Sequence, residues 1–397
     1  MAGTTSFAQK LGNSVKKVSE NKSSSWWYNH HMRAASRAIS HRIPLVDFVL
    51  EVRDARVFIL DGPEFLAATM LDRDMLAIVV NWYHVGWFCL IRLYILKVPV
   101  SSEYGSLRYF PSSSRNIIVL NKMDLASHSK TKEWMAYFKE KNYISYAINS
   151  HNKENIKEFL NFLQAKIRDL RRNMHLSNTL TTTVMLVGIP NVGKSAFVNS
   201  LHQIGRVTAA EKGKLKQAKV SPHPGETKDI ISLKIASHPN VYILDTPGIL
   251  PPEIADVERS SKLALTGAIA DYLFDQSDLA QYFLSILNLS HEYKKWGKIS
   301  ESDKENQIMN DHTQDLVVQA VRRALFEEIS AFDGNLEDEN DMVQLIEAQF
   351  TTLRKVFNVN SDSFDTVNDI VASKIVNLYR TGRLGHYTLD SLPRTNY

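Results

Sequence analysis

Cysteine is nearly absent from this sequence of 397 residues, which contains only Cys89. A single thiol forms no internal disulfide, so the composition fits a reducing compartment and excludes a zinc site built from several cysteines. A strong excess of one charge is also lacking, because 47 lysines and arginines oppose 43 acidic residues. The formal net charge of +4 permits a nucleic-acid or ribonucleoprotein partner but does not require one.

Arginine is absent from the N-terminal segment, residues 1–25, and first occurs at Arg33. This segment is rich in Ser and Thr, its first acidic residue is Glu20, and its basic residues are Lys10, Lys16, Lys17 and Lys22. Two interpretations stay open. One is an organellar targeting peptide, which the shortage of arginine disfavours, and the other is a flexible basic tail.

Short apolar runs, bounded by polar or turn residues, predict β-strands in the first two thirds of the chain. The runs are Val46–Val52, Asn116–Leu120, Val184–Val187 and Val241–Leu244, with a weaker one at Tyr143–Ile148. Amphipathic helical stretches alternate with them at Lys130–Lys139, Asn155–Leu170 and Ser195–Leu201. Strands that alternate with helices predict an α/β fold with a mostly parallel sheet, over residues 26–250.

Helical periodicity dominates the chain beyond Pro251 and Pro252. The helical stretches are Ala255–Ser285, Leu316–Ile329, Asp341–Phe357 and Ser363–Arg380, and a polar stretch at Lys298–Asp311 interrupts them. We therefore expect a separate all-α C-terminal domain over residues 253–397.

Residues 188–195 read Gly-Ile-Pro-Asn-Val-Gly-Lys-Ser, which matches the GxxxxGK[ST] pattern in full and follows an apolar run. Gly188 and Gly193 let backbone amides curve around phosphate oxygens, and the helix that follows directs its positive end to the same place. Lys194 can reach the β- and γ-phosphates, and the Ser195 hydroxyl can ligate Mg²⁺. The pattern predicts a phosphate-binding loop.

Residues 245–248, Asp-Thr-Pro-Gly, end the strand predicted at Val241–Leu244. Asp245 suits a water-mediated contact with Mg²⁺, and the Gly248 amide can meet the γ-phosphate. Between the two motifs, Thr227 follows Pro-Gly-Glu and is the candidate threonine that senses Mg²⁺ and the γ-phosphate. An ordinary surface turn stays an alternative for Thr227.

Residues 121–124, Asn-Lys-Met-Asp, directly follow another predicted strand. Guanine presents an N1–H and an amino group on one edge, and the Asp124 carboxylate can accept from both; against adenine it would stay unpaired. Asn121 can bond the base and brace the phosphate loop, and the stem of Lys122 can lie across the ring. Asn149 and Ser150 can supply a further backbone contact to the base.

The guanine motif precedes the phosphate loop, which reverses the usual order of these motifs. A sheet can keep the same site after such a rotation when the chain termini lie close together. The rotation also makes the chain run from Asp245–Gly248 directly into the helical domain. A switch that responds to the γ-phosphate can therefore pull on that domain.

With these motifs the sequence resembles the circularly permuted GTPases of ribosome assembly, of the bacterial RbgA (YlqF) type and their mitochondrial relatives. Asp54-Ala55-Arg56 matches the family's Asp-Ala-Arg signature, and Gly382-Arg383-Leu384-Gly385 resembles its C-terminal end. The resemblance covers nearly all of the chain from Trp26 onward, apart from one interruption. It implies a P-loop GTPase domain with circularly permuted motifs, which binds GTP and Mg²⁺ and hydrolyses GTP as a switch in assembly of the large ribosomal subunit.

The resemblance also implies the partners and the location. The helical domain would contact ribosomal RNA on the large subunit, and the location would be mitochondrial, with the chloroplast as the alternative. We expect a monomer without stable membrane insertion.

A further implication concerns the residue that directs the attacking water. Ile249 follows Gly248, where many GTPases carry a glutamine. In the RbgA family a histidine from the N-terminal segment is thought to serve, and His31 matches it in the stretch Trp27–Met32. Asn29 and His30 depart from the family pattern there, and a surface histidine stays an alternative. Asn191 matches the asparagine that binds K⁺ in potassium-stimulated relatives.

The predicted site therefore has three sets of residues. The catalytic set is His31, Thr227 and Gly248, and the Mg²⁺ set is Ser195, Thr227 and Asp245, with Asn191 as a candidate for K⁺. The GTP-binding set is Asn121, Lys122, Asp124, Asn149, Ser150, Asn191, Val192, Gly193, Lys194, Ser195, Ala196 and Gly248.

Residues 57–97 interrupt the family pattern, which resumes at Val98-Pro99-Val100-Ser101-Ser102. The stretch Met75–Leu96 has only one charged residue and resembles a transmembrane helix. A single span would separate Asp54 from Val98, which belong to one face of one domain, so we expect no membrane span. Our hypothesis is a segment foreign to the fold, such as a retained intron.

Two further functional classes stay open beside the enzyme. Ile249 also fits a nucleotide-gated ribosome- or RNA-binding module with little intrinsic hydrolysis. The interruption also fits a non-functional product of a mis-spliced gene.

Overall fold

A computed structural model describes residues 6–11, 30–57, 116–173, 181–208, 218, 220, 227, 229–250, 257–290, 292–298, 315–359, 364–390 and 392. The chain divides into two compact units. One unit contains Ser24–Ile254 together with Thr388–Tyr397, and the other contains Met1–Ser23 together with Ala255–Tyr387. The boundary at Ala255 lies close to the predicted one, but each unit also takes a short segment from the opposite end of the chain.

The first unit is built on a six-stranded sheet with the order β3-β2-β1-β4-β6-β5. Its strands are β1 (Phe48–Asp54), β2 (Asn116–Asn121), β3 (Ile144–Ala147), β4 (Thr182–Val187), β5 (Ile231–Ser237) and β6 (Asn240–Asp245). All neighbouring strands pair in parallel except β5 and β6, which are antiparallel. Every residue of β1 is buried, as expected for a central strand that is covered on both faces.

Four helices accompany this sheet. They are α1 (His30–Arg42), α2 (His128–Glu140), α3 (Lys153–Asn173) and α4 (Lys194–Thr208). The predicted α/β fold is confirmed. The carboxyl ends of the five parallel strands meet at one edge of the sheet, where ligands bind in folds of this class.

Two elements of this unit are absent from the sequence predictions. The buried apolar residues of helix α1, Met32, Ala35 and Ile39, lie at helical spacing, but most of its other residues are basic or small, so the apolar stripe that would predict a helix is narrow. Strand β5 has a register shift between Lys234 and Ala236, which interrupts the alternation of apolar residues that would predict a strand.

The second unit is helical. Its helices are α5 (Val257–Leu265), α6 (Gln276–Leu289), α7 (Leu316–Ala331), α8 (Glu339–Val356) and α9 (Phe364–Arg380). Asp275, Asp315 and Asp338 cap α6, α7 and α8, because each carboxylate accepts a hydrogen bond from a backbone amide of the first turn. The stretch predicted as helical over Ala255–Ser285 is thus divided into two helices.

The core of the helical unit combines aromatic and amide contacts. The rings of Phe283 and Tyr379 lie 4.7 Å apart between centroids. The buried amides of Asn288 and Gln349 donate to each other, at 3.2 and 2.7 Å. Because both amides are paired, they can be buried without a large desolvation penalty.

Residues 6–11 form a short helical segment of this unit. Phe7, Ala8 and Leu11 are buried, and the Ser261 hydroxyl donates to the Ala8 carbonyl at 3.0 Å. Lys10 pairs with Asp278 at 2.9 Å. This segment therefore contributes three side chains to the core of the helical unit, although it was predicted as part of a tail or a targeting peptide.

Residues 388–390 and 392 return to the first unit. The Leu389 amide donates to the Arg56 carbonyl at 2.8 Å, and the Ser127 amide donates to the Thr388 hydroxyl at 3.1 Å. Leu392 packs against the cluster that contains Trp134. These residues therefore lie beside the segments that follow β1 and β2.

The predicted foreign segment, residues 57–97, lies outside the described residues except for Val57. Its apolar stretch Met75–Leu96 is therefore not described. Within the described ranges, no helix is both long and apolar enough to cross a bilayer.

Candidate functional site

The phosphate loop connects β4 to α4 at the carboxyl edge of the sheet. The backbone of Gly193 has a φ of 92°, in the left-handed region that favours glycine. A Cβ at Gly193 would lie 2.3 Å from the Asn121 side-chain nitrogen. Any larger residue would therefore displace the guanine motif from the phosphate loop.

Lys194, the first residue of α4, is buried inside this loop with 6% of its surface exposed. Its ammonium donates to the carbonyls of Gly188 and Ile189, at 3.0 and 2.8 Å. Burial lowers the pKa of Lys194 to about 8, and the negative charge of Asp245 only partly opposes this effect. A phosphate group would supply the anionic partner that this lysine lacks in the loop.

The three predicted Mg²⁺ residues converge beside the loop. The Ser195 hydroxyl donates to the Asp245 carboxylate at 2.8 Å and lies 3.2 Å from the Thr227 hydroxyl. The other carboxylate oxygen of Asp245 is buried without a hydrogen-bond partner. Burial raises the pKa of Asp245, so a cation that favours its charged form suits this position. Two hydroxyls and a carboxylate are the oxygen ligands that Mg²⁺ prefers, and the residues present fit this ion.

Gly248 lies against the phosphate loop. A Cβ at Gly248 would approach the Pro190 Cα to 2.6 Å, so the switch backbone can come this close only with glycine. The Ile249 amide donates to the Gly188 carbonyl at 3.4 Å, and its side chain is buried. A buried aliphatic side chain cannot orient a water molecule, as a glutamine in that position can.

Asn121, the last residue of β2, connects the two halves of the site. Its side-chain nitrogen donates to the Val192 carbonyl at 2.8 Å, and its side-chain oxygen accepts from the Ser150 amide and hydroxyl, at 3.2 and 2.7 Å. Asn121 and Ser150 are buried. The guanine motif, the phosphate loop and the loop after β3 are therefore held in one hydrogen-bonded arrangement.

The other predicted base-contacting residues lie at the same edge. Asp124 belongs to a 3₁₀ turn, Met123–Leu125, and is exposed, so its carboxylate is accessible to a ligand. Asn149 is half-buried; its amide donates to the Asn155 side chain at 2.7 Å, and its side-chain oxygen accepts from the His151 amide at 2.8 Å.

Four further predicted residues occupy different surroundings. Val192 is buried, and Ala196 is half-buried in the first turn of α4. Asn191 is half-buried, with a left-handed φ of 59°. His31 is exposed on the first turn of α1, and its catalytic role stays a prediction.

One residue of the site was not predicted to act there. Asp54, the last residue of β1, accepts a hydrogen bond from the Lys122 ammonium at 2.9 Å. Asp54 was identified from the sequence only as part of the family's Asp-Ala-Arg signature. Its position at the carboxyl end of a parallel strand is the signal that could have placed it in the site.

The sheet and its assembled motifs define a class of protein: a P-loop GTPase whose motifs run in circularly permuted order.

Comparisons with known proteins agree with this class. A family model described as "50S ribosome-binding GTPase" matches residues 183–344. The chain is 51% identical with DAR GTPase 2, mitochondrial, of Arabidopsis thaliana, over 98% of this chain and 96% of that protein. It is 34% identical with Short integuments 2, mitochondrial, of the same plant, over 93% and 90% of the two chains. It is 27% identical with Ribosome biogenesis GTPase A of Bacillus cereus, over 73% and 78%.

The chain therefore belongs to the DAR GTPases, the circularly permuted GTPase family of the RbgA and YlqF type. The resemblance stated from the motifs is confirmed. Members of this family use GTP and Mg²⁺.

Proposed function

We propose that this protein hydrolyses GTP as a switch in the assembly of the mitochondrial large ribosomal subunit. The observation that carries the proposal is the convergence of the guanine motif, the phosphate loop and the three Mg²⁺ residues at one edge of the sheet. The ribosomal part is supported by the family description and by the names of the relatives.

The proposal gives a task to each part of the site. Asp124 accepts hydrogen bonds from the guanine edge, and Lys194 pairs with the β- and γ-phosphates. Ser195, Thr227 and Asp245 would hold Mg²⁺, which would neutralise charge on the phosphates when bound. The Gly248 amide contacts the γ-phosphate. Water then attacks the γ-phosphorus, the bond to the bridging oxygen breaks, and GDP and phosphate leave.

Sedimentation of the tagged full-length protein with mitochondrial ribosomal subunits tests this proposal. We expect the protein to move with the large subunit in the presence of a non-hydrolysable GTP analogue and to be released with GDP. Lys194→Met should not bind in either condition, and Lys157→Met, which changes an exposed lysine on α3, serves as the control. Equal sedimentation with both nucleotides would contradict a GTP-dependent switch.

A second candidate function is a nucleotide-gated binding module with little hydrolysis. The buried Ile249 favours it, because its aliphatic side chain cannot direct a water molecule. Turnover with and without large subunits separates the two functions. Stimulation by subunits that is lost in His31→Ala supports the enzyme and the predicted role of His31; a low rate in both conditions, with GTP-dependent binding intact, supports the module.

Three finer features belong to the same proposal. The helical unit contacts ribosomal RNA, the protein acts as a monomer, and Asn191 contributes to a K⁺ site. The left-handed backbone and half-buried side chain of Asn191 support the last feature. Faster hydrolysis in KCl than in NaCl, with the difference lost in Asn191→Ala, would support it, and equal rates would contradict it.

Mitochondrial import belongs to the proposal as well, and the names of the relatives support it. We expect the imported protein to retain residues 6–11, because Phe7, Ala8 and Leu11 are buried in the helical unit. Their removal would expose the apolar surface that they cover. Mass spectrometry of the N-terminus of protein from purified mitochondria tests this expectation, and a mature N-terminus beyond Leu11 would contradict it.

A further inference from the structure

The Asp54-Ala55-Arg56 signature has no assigned task in GTP binding or hydrolysis. Asp54 is buried at the end of β1, and its carboxylate compensates two cations. It accepts from the Arg56 guanidinium at 2.9 and 2.8 Å and from the Lys122 ammonium at 2.9 Å. A single buried carboxylate therefore joins the signature to the guanine motif, 68 residues further along the chain.

Lys122 is held at a second point. Its ammonium also donates to the Asn191 carbonyl of the phosphate loop, at 2.6 Å. The backbone of Lys122 has a left-handed φ of 60°, which is strained for a residue with a side chain. The two contacts of the ammonium help to keep this residue in place, and with it Asn121 and Asp124 of the same motif.

The charges in this cluster depend on one another. Burial lowers the pKa of Lys122, and the negative charge of Asp54 opposes that shift. Burial alone would raise the pKa of Asp54, but the positive charges of Arg56 and Lys122 outweigh it and hold this pKa well below its usual range. Removing the carboxylate would take away the negative charge that pairs with both the Arg56 guanidinium and the partly buried Lys122 ammonium.

A purely structural task for Asp54 is the alternative. Its carboxylate also accepts from the Arg56 amide at 3.1 Å, and its carbonyl accepts from the Val57 amide at 3.1 Å, which closes the turn after β1. Such a turn explains the pairing with Arg56. It does not explain the contact with Lys122, which lies in another strand connection and whose stem is predicted to cover the base.

We propose that Asp54 is a positioning residue of the guanine site, which sets the affinity for guanine nucleotides by holding the Lys122 ammonium against the phosphate loop. The inference rests on GTP binding at this site. Asp54 itself touches neither the nucleotide nor the water. Its loss should therefore weaken GTP and GDP to the same extent and leave the rate at saturation unchanged.

The test uses full-length Asp54→Asn, in which the amide oxygen can still accept from the turn but the negative charge is gone. We expect the affinities for fluorescent GDP and GTP to fall about tenfold or more, as expected when one partner of a buried ion pair is removed. KM should rise by the same factor, and kcat should stay within about twofold. Asp54→Glu, which keeps the charge, should restore most of the affinity.

Glu51→Gln is the matched control. Glu51 is a buried carboxylate on the same strand, and it pairs with Arg53 at 2.9 Å. Both variants should unfold at a lower temperature, but only Asp54→Asn should lose nucleotide affinity. Equal affinity losses in both variants, or normal affinity in Asp54→Asn, would overturn the inference. Failure of the unchanged protein to bind any guanine nucleotide would instead contradict the proposed function.

A double variant keeps the inference testable if Asp54→Asn does not fold. Lys122→Met removes one of the two cations that pair with Asp54, so Asp54→Asn combined with Lys122→Met is the more tolerant background. The inference predicts that this double variant binds GDP as weakly as Lys122→Met alone. A further drop of about tenfold in the double variant would show that Asp54 acts independently of Lys122, and would overturn the inference.

Discussion

Two lysines enter the nucleotide site, and they differ in what compensates their charge. Lys122, in the guanine half, has the Asp54 carboxylate at 2.9 Å. Lys194, in the phosphate half, donates to two backbone carbonyls of its own loop, and burial lowers its pKa to about 8. The lysine of the guanine half is therefore paired with a carboxylate of the protein, whereas the lysine of the phosphate half is bonded to backbone carbonyls.

The difference separates the tasks of the two halves. Paired charges and the hydrogen bonds of Asn121 fix the geometry that recognises the base, which stays the same in GTP and GDP. We expect bound phosphate and Mg²⁺ to stabilise the charged forms of Lys194 and Asp245, which burial disfavours. Variants of either half should therefore lose nucleotide affinity. Asp54→Asn in the guanine half should also lose stability, whereas Lys194→Met in the phosphate half should not.

The largest effect is expected for Lys194→Met. GTP and GDP affinity should fall about a hundredfold or more, because the charge-assisted contacts with two phosphates are lost. The nucleotide-free protein should unfold at the same or a higher temperature, because a poorly compensated buried charge is replaced by an apolar side chain of similar length. Titration with fluorescent GDP and thermal unfolding measure the two quantities.

The opposite stability results for these two variants would contradict this difference between the two halves. If Lys194→Met lost stability while Asp54→Asn kept it, the phosphate half would be the one whose lysine is compensated by the protein's own groups. Lys157→Met, on the exposed surface of α3, should change neither quantity.

Most of the site can be predicted from the sequence, because its motifs are local. Gly188–Ser195, Asn121–Asp124 and Asp245–Gly248 each follow directly after a predicted strand, and parallel strands bring their carboxyl ends to one edge. The α/β core and the helical character of the C-terminal half follow from the same periodicities. The catalytic, metal and base contacts of single residues stay predictions, since they depend on a bound nucleotide.

The remaining features depend on contacts between residues that are far apart in sequence. Nothing in the local pattern connects Asp54 with Lys122, or Leu389 with Arg56. Residues 6–11 are too few to show a helical period, and their burial depends on Ser261 and its neighbours. Helix α1 is long enough to show a helical period, but it was not predicted because its buried apolar residues are few among basic and small residues.

The predicted Mg²⁺ residues give a second test of the difference between the two halves. In Asp245→Asn, hydrolysis should fall about a hundredfold, because the charge that favours the cation is lost. Affinity for GDP measured in EDTA should stay close to that of the unchanged protein, since Asp245 contributes little to the base contacts. Mg²⁺ titrations of the hydrolysis rate make the measurement, and a large loss of GDP affinity in EDTA would contradict the separation of the two halves.

A smaller effect is expected when the base-reading carboxylate is changed. Asp124→Asn should weaken guanine nucleotides about tenfold to a hundredfold, because the amide presents a donor to the guanine amino group. Xanthine carries an oxygen in place of that amino group, so xanthosine nucleotides should bind better to the variant than to the unchanged protein. Competition titrations with the two nucleotides test this, and Asn152→Asp, an exposed substitution beyond β3, is the control.

The smallest effect concerns pH. The pKa of Lys194 is about 8 in the folded protein and 10.5 for an unperturbed lysine, so the unfolded chain binds more protons between these values. The free energy of unfolding should therefore gain a contribution that rises with pH across this window.

Phosphates raise the pKa of Lys194 again, so GDP affinity should fall by up to about tenfold per pH unit above 8. Unfolding curves and GDP titrations from pH 7 to 9 measure both slopes. In Lys194→Met the rise in stability across the window should be reduced, and an unchanged rise would show that other groups produce it.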